Sequence, residues 1–187
     1  MSTTIQRLRD VIPFRPLTVV EAMHFAELQA TNLLALSGIT GPPVPETIIS
    51  GIPRIHVERM TPSPVSGATQ WSKGRWLMLL NGAEPVSRQR YSMAHEFKHI
   101  LDHPFIDFLY PTVPGISSED RAERICDYFA ACLLMPRLWV KHLYFDLGLH
   151  EPRHLAQRFE TSSSAMHVRL LQVVMMEAPT GRLVAAP

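Results

Sequence analysis

Apolar residues return at helical spacing from Leu17 to Leu36, where Val20, Met23, Leu28, Ala30 and Leu34 mark one face of an amphipathic helix. Gly38 and the Gly41-Pro42-Pro43 run stop it. From Pro53 to Arg59 the period changes: Ile55 and Val57 alternate with His56 and Glu58, as in a half-buried strand. Two further β-prone runs, Ala68 to Trp71 and Arg75 to Leu80, flank Ser72-Lys73-Gly74 and read as a hairpin. Together they predict a small, partly antiparallel three-stranded sheet. Beyond Pro85 the helical period returns. It predicts helices over Ser87 to His103, from Ser117 or Ser118 to Leu134 with Asp120 at capping-box distance, and over Leu138 to Leu147 before Gly148. Two short helices follow, at 152–159 and 163–176, with Ser162 as the cap between them. The pattern is an α+β one.

Composition narrows the class. Hydrophobic residues make up 46% of the 187 residues and charged ones 19%, enough for a packed core and too apolar for global disorder. The 18 basic residues nearly cancel the 17 acidic ones, giving a net charge of +1 that speaks against a protein built mainly to grip nucleic acid or an anionic membrane. No run of uncharged apolar residues is long enough to span a bilayer, and the first ten residues lack the apolar core of a secretory signal. Cys126 and Cys132 sit on different faces of one predicted helix and cannot form a disulfide framework. The expectation is a cytoplasmic protein with reduced thiols.

The chemistry concentrates in Met93-Ala94-His95-Glu96-Phe97-Lys98-His99. A spacing of four sets His95 and His99 one turn apart on one helix face, where both imidazoles can meet one zinc ion. Glu96 lies about 100° around the helix, within reach of a water activated at that ion, and is the candidate general base. A hydrolytic site needs a third protein ligand and an open fourth position. Glu123 and Asp127, on the next helix, share a face with Ala130 and Leu134. Two carboxylates in an apolar stripe are costly unless positive charge lies opposite. Glu123 is therefore read as the third ligand, and Asp127 as the acceptor of a ligand histidine's outer N–H. The bland alternatives are a helix with two solvated histidines and an exposed acidic face paired with Arg121 or Arg124. Tyr91 and His103 are auxiliary candidates, each one turn from a motif histidine, Tyr91 as an oxyanion donor and His103 as a competing histidine. His95 and His103 lie about 12 Å apart along the axis, too far for one ion.

These segments resemble the ImmA/IrrE family of metallo-endopeptidases. The likeness rests on Arg88-Gln-Arg-Tyr-Ser-Met-Ala-His-Glu-Phe-Lys-His99 and on Glu123-Arg-Ile-Cys-Asp-Tyr-Phe-Ala-Ala-Cys-Leu-Leu-Met-Pro136. Ser66-Gly67, the strand ending at Leu80-Asn81, and Leu155 to Leu170 extend it over roughly residues 18 to 176. The resemblance implies a zincin-like peptidase domain over 1–148 and a helix-turn-helix-like module over 149–187. It implies metal ligation by His95, His99 and Glu123, with Glu96 as base. It also implies cleavage of a helix-turn-helix transcriptional repressor, in mobile-element or stress regulation. Lys98 stands where the family commonly has glycine, and Cys126 and Cys132 where alanine and glutamate are usual. Lys98, about 60° from His95, is expected to flank the metal face and to touch substrate or the local field.

Three functions stand against one another. The first is a zinc-dependent endopeptidase, with manganese left open and Arg75 to Leu80 as the edge that holds an extended substrate. The second is a DNA-binding regulator using residues 151–176, where Arg153, Arg158 and Arg169 are nearly offset by Glu151 and Glu160. The third is a non-catalytic metal-binding protein, in which Glu96 would have no purpose.

Overall fold

The structure, a computed structural model, describes residues 3–175. Helix α1 (Thr4–Arg9) leads to α2 (Val19–Leu36), whose start is fixed by a capping box between Thr18 and Glu21. After the short α3 (Thr47–Ser50) come β1 (Ile55–Met60), β2 (Gly67–Ser72) and β3 (Arg75–Asn81). β2 and β3 form the expected hairpin through a two-residue turn in which Lys73 and Gly74 have φ of 50° and 78°. β1 pairs parallel to β3, so the strand order is β1-β3-β2. β3 is therefore the central strand, with its ladder groups engaged on both sides. This corrects the expectation that Arg75 to Leu80 is a substrate-holding edge: a hairpin's second strand becomes internal once an earlier strand adds to its far side. The open edge beside the helices belongs to β2.

Trp76, Met78 and Leu80 alternate into the core from β3, and β2 and β3 pack against α4 (Val86–Asp102). After α5 (Ile106–Leu109), α6 (Ser118–Leu134) lies against both α2 and α4. Ser117 caps α6 and forms a reciprocal box with Asp120, as the sequence spacing predicts. Buried Phe97, Ile100, Ile125, Phe129 and Leu133 fill the space among these helices.

The segment after Pro136 is less regular than its periodicity suggests. It forms α7 (Arg137–Lys141) and then a π-helical turn over His142–Asp146. α8 (Pro152–Phe159) and α9 (Ser163–Leu170) follow, the latter capped by Ser162 and continued by a π-helical turn over Leu171–Met175. Met176, the expected end of that last helix, lies outside the described residues. Leu155, Phe159, Met166 and Val173 belong to the same buried cluster as the rest of the core. Arg169 donates to the Met135 carbonyl at 2.9 Å, and Arg90 meets Glu160 at 3.3 Å. No helix among the described residues is long and apolar enough to cross a membrane.

Candidate metal centre and cleft

α4 and α6 lie side by side, so the histidine stripe of one meets the acidic stripe of the other. His95 Nε2 is 3.1 Å from one Glu123 carboxylate oxygen, and His99 Nε2 is 3.0 Å from the other. The two imidazole Nε2 atoms are 3.1 Å apart. Behind them, His95 Nδ1 meets Asp127 Oδ1 at 3.0 Å. The histidine side chains are mostly covered, at 15% and 21% exposure, while Glu123 is half-exposed with both oxygens turned to the imidazoles.

With Nδ1–H of a neutral His95 donated to Asp127, Nε2 presents a lone pair to other acceptors. Acceptors facing acceptors need a proton or a cation between them. The His95 pKa reflects that demand. Burial alone lowers it, but the Asp127 hydrogen bond and the Glu123, Asp127 and Glu96 carboxylates outweigh burial and leave it raised. The Asp127 carboxyl is lowered, chiefly by its bond to His95. Two imidazoles and one carboxylate spaced close to the edges of a tetrahedron with bonds of about 2.0–2.1 Å suit a divalent ion. The donor set fits a metal.

One group in the neighbourhood carried no role in the sequence reading. His95, His99 and Cys126 also offer donor atoms within 4.8 Å of one another. Cys126 lies one turn beyond Glu123 on α6, is 1% exposed, and burial pushes its thiol well above the ordinary range. Glu123 is the better-placed third donor, because both its oxygens already stand 3.0–3.1 Å from the imidazoles. Cys126 would first have to lose a proton in an apolar site.

Glu96 is buried beside this cluster, and its Oε2 accepts a hydrogen bond from Thr69 of β2 at 3.0 Å. Gly67, two residues earlier on that strand, lies so close that an added Cβ would stand 2.9 Å from Glu96 Cγ and Oε1. The sequence offered a signal for this contact, since a glycine inside a strand marks a close approach. The partner of that approach was not readable. Ser66, Gly67, Arg88, Tyr91 and Glu96 join His95, Glu123 and Asp127 around a cleft of about 290 Å³.

The auxiliary residues separate. Tyr91 lines the cleft, donates its hydroxyl to the Asp127 backbone carbonyl at 2.9 Å, and has its phenol pushed up by burial. His103 falls past the end of α4, where the chain turns extended at φ −67° and ψ 135°, and its ring packs against Trp76 at 5.0 Å. The helix stops before it, so His103 does not continue the stripe. Lys98 also departs from expectation. It is fully buried, and its ammonium meets Asp102 at 2.5 Å, Gln29 at 2.9 Å and the Tyr110 hydroxyl at 3.4 Å. The angle from His95 is as expected, but α2 and the chain after α5 cover that flank, so Lys98 cannot touch a substrate.

Comparison with known proteins follows the same segments. The peptidase family model for the IrrE N-terminal-like domain matches residues 52–171. The radiation response metalloprotease IrrE of Deinococcus radiodurans is 26% identical over 161 residues, covering 82% of this chain and 48% of that protein. A solved structure of a Mycobacterium tuberculosis transcriptional regulator superposes with a TM-score of 0.63 at 15% identity, over 91% of this chain and 52% of the other, a likeness of fold. The chain thus spans about half the length of these relatives.

Proposed function

We propose that this chain, which belongs to the ImmA/IrrE family of metallopeptidases through its IrrE N-terminal-like domain, is a zinc-dependent endopeptidase making one specific cut in a partner protein. The observation that carries the reading is the convergence of His95, His99 and Glu123 within 3.0–3.1 Å of one another, with Glu96 buried alongside at an open sheet edge. A structural metal site has no need of that buried carboxylate.

His95, His99 and Glu123 are the residues that would hold the ion, and two imidazoles with one carboxylate favour zinc over manganese. When bound, the ion supplies Lewis acidity at the scissile carbonyl and at the attacking water. The remaining work falls to the chain itself. Asp127 holds His95 in the tautomer that turns Nε2 inward. Thr69 fixes one oxygen of Glu96, leaving the other to take the water's proton and hand it to the departing amine. The edge of β2, beside Glu96, is suited to hold an extended peptide by strand addition. Residues 1–148 would form the zincin-like peptidase body and 149–187 a helix-turn-helix-like module.

The substrate we propose is a helix-turn-helix transcriptional repressor, met in the cytoplasm. Direct DNA reading by the last helices finds little support. Arg169 is 1% exposed and spent on Met135, which leaves Arg153 and Arg158 against Glu151 and Glu160. That balance lacks the basic excess phosphate contacts require. The test is to read the neighbouring genes for a small helix-turn-helix repressor and to incubate that repressor with the zinc-loaded chain. One pair of fragments, abolished by a chelator and restored by zinc, is expected. An intact repressor at full zinc loading overturns the reading.

A further inference from the structure

A second, larger cavity of about 510 Å³ opens beside the cleft. Arg88, Tyr91 and Asp127 line both, so the two share a wall. The larger one is floored by Met23 of α2, by Tyr128 and Ala131 of α6 and Met135 just past its end, and by Ala165 and Val168 of α9. Most of its inner polar groups have partners within the chain. Tyr128 donates to Glu27 at 3.1 Å, Arg169 donates to the Met135 carbonyl and lies over the Tyr128 ring, and Tyr91 is bound to the Asp127 carbonyl. What the floor of Met23, Ala131, Met135, Ala165 and Val168 offers an entering group is apolar contact, with Arg88 and Arg124 also among the lining residues.

Position along α4 limits what can enter. Tyr91 precedes His95 by four residues, about 6 Å of helix rise. That is the reach of one bulky side chain from a peptide bond held over the histidines, given about 3.3 Å per residue of extended chain. We infer that this cavity is the subsite for a large aliphatic or aromatic side chain of the substrate residue next to the cleaved bond. α9 supplies one wall, so the last helices act in substrate choice. The inference rests on the metallopeptidase reading and adds to it the class of residue selected.

Hydroxamates of single amino acids test both statements separately on the zinc-loaded full chain. Acetohydroxamate reports whether a metal centre is present. N-acetyl-leucine hydroxamate is expected to bind about 10- to 100-fold tighter than N-acetyl-glycine hydroxamate, by calorimetry. Ala165→Trp, which fills the cavity, should bring the leucine-to-glycine ratio close to one. Val168→Trp, at a half-exposed position, reads the same ratio should the first variant not fold. Equal affinity for leucine and glycine, or a ratio unchanged in both variants, overturns the subsite and leaves the metal centre standing. Failure of acetohydroxamate to bind sinks the metal centre and the subsite with it.

Discussion

Two charged clusters lie along one side of α4, and they solve the same electrostatic problem in opposite ways. In the inner one, Lys98 and Asp102 are each about 1% exposed, with Tyr110 donating to the second Asp102 oxygen at 2.7 Å and Gln29 accepting from the ammonium. The carboxylate and its cation come from the same helix, four residues apart, and the site is closed and neutral. The outer one gathers His95, His99, Glu123 and Asp127 beside the cleft, and among the described residues no lysine or arginine is seen in contact with the Glu123 carboxylate. A buried carboxylate such as Asp102 needs positive charge beside it; in the outer cluster Glu123 is half-exposed, and it is the covered imidazole nitrogens facing its oxygens that call for a cation. Where the chain supplies the cation the cluster is a piece of core. Where it withholds the cation, and turns nitrogen lone pairs inward, it leaves a place for an ion from solution.

The comparison breaks first at Glu96. If the outer cluster works as a hydrolytic centre, Glu96→Gln should cut the cleavage rate by about 10²- to 10⁴-fold while zinc content stays unchanged, because amide and carboxylate share a shape but only one accepts the proton. Cleavage at the wild-type rate would leave the outer cluster as inert as the inner one. Next in size is the inner pair. Lys98→Met leaves Asp102 buried without its partner and should cost about 3–5 kcal/mol in urea unfolding. Lys98→Met combined with Asp102→Leu should recover most of that loss. A single variant that unfolds at the wild-type midpoint would show that the inner charges do not depend on each other.

The helices of both clusters were legible because their periodicity is strong, and two later helix starts were marked as well: Ser117 and Ser162 cap where the spacing says they should. The outer cluster was legible too, since His95 and His99 lie on one helix and Glu123 and Asp127 repeat the same four-residue step on another. What escaped were the features set by tertiary neighbours. The direction of Lys98 follows from the helix, but its burial depends on Gln29, 69 positions away. The central place of β3 depends on β1 joining its far side, and a hairpin pattern says nothing of a third strand's partner. Thr69 and Gly67 acquire their relation to Glu96 only when β2 packs on α4. Cys126 sits one residue before Asp127, yet its place beside both histidines follows from how deeply α6 is seated.

Asp127 gives a smaller effect that sharpens the contrast. It touches no metal-facing atom other than through His95, so Asp127→Asn should preserve the fold and lower zinc affinity by about 10- to 100-fold, read by competition with a chromogenic chelator. The inner cluster has no such graded response, because its cation is covalently part of the chain. Unchanged zinc affinity would reduce Asp127 to a surface acid.

The smallest effect asks whether either cluster is held by helix ends or by helix packing. Ser117 caps α6 by accepting a 2.9 Å bond from the Asp120 amide, and its hydroxyl donates to the Asp120 carboxylate at 2.7 Å. Both side chains are exposed, so Ser117→Ala opens no cavity and should cost about 1 kcal/mol, a fall in Tm of about 2–4 °C. Fraying of the first turn need not spread to Glu123, because Ala122 and Ile125, each 2% exposed, pin the helix on either side of it. Zinc affinity should therefore change by less than about threefold, within what loss of a cap can transmit. α4 shows that packing suffices: it begins at Pro85 with no side-chain cap and still carries both clusters. A tenfold loss of zinc affinity in Ser117→Ala would mean the opposite, that the third donor is aimed by the start of its helix while the Lys98–Asp102 pair is aimed by the core.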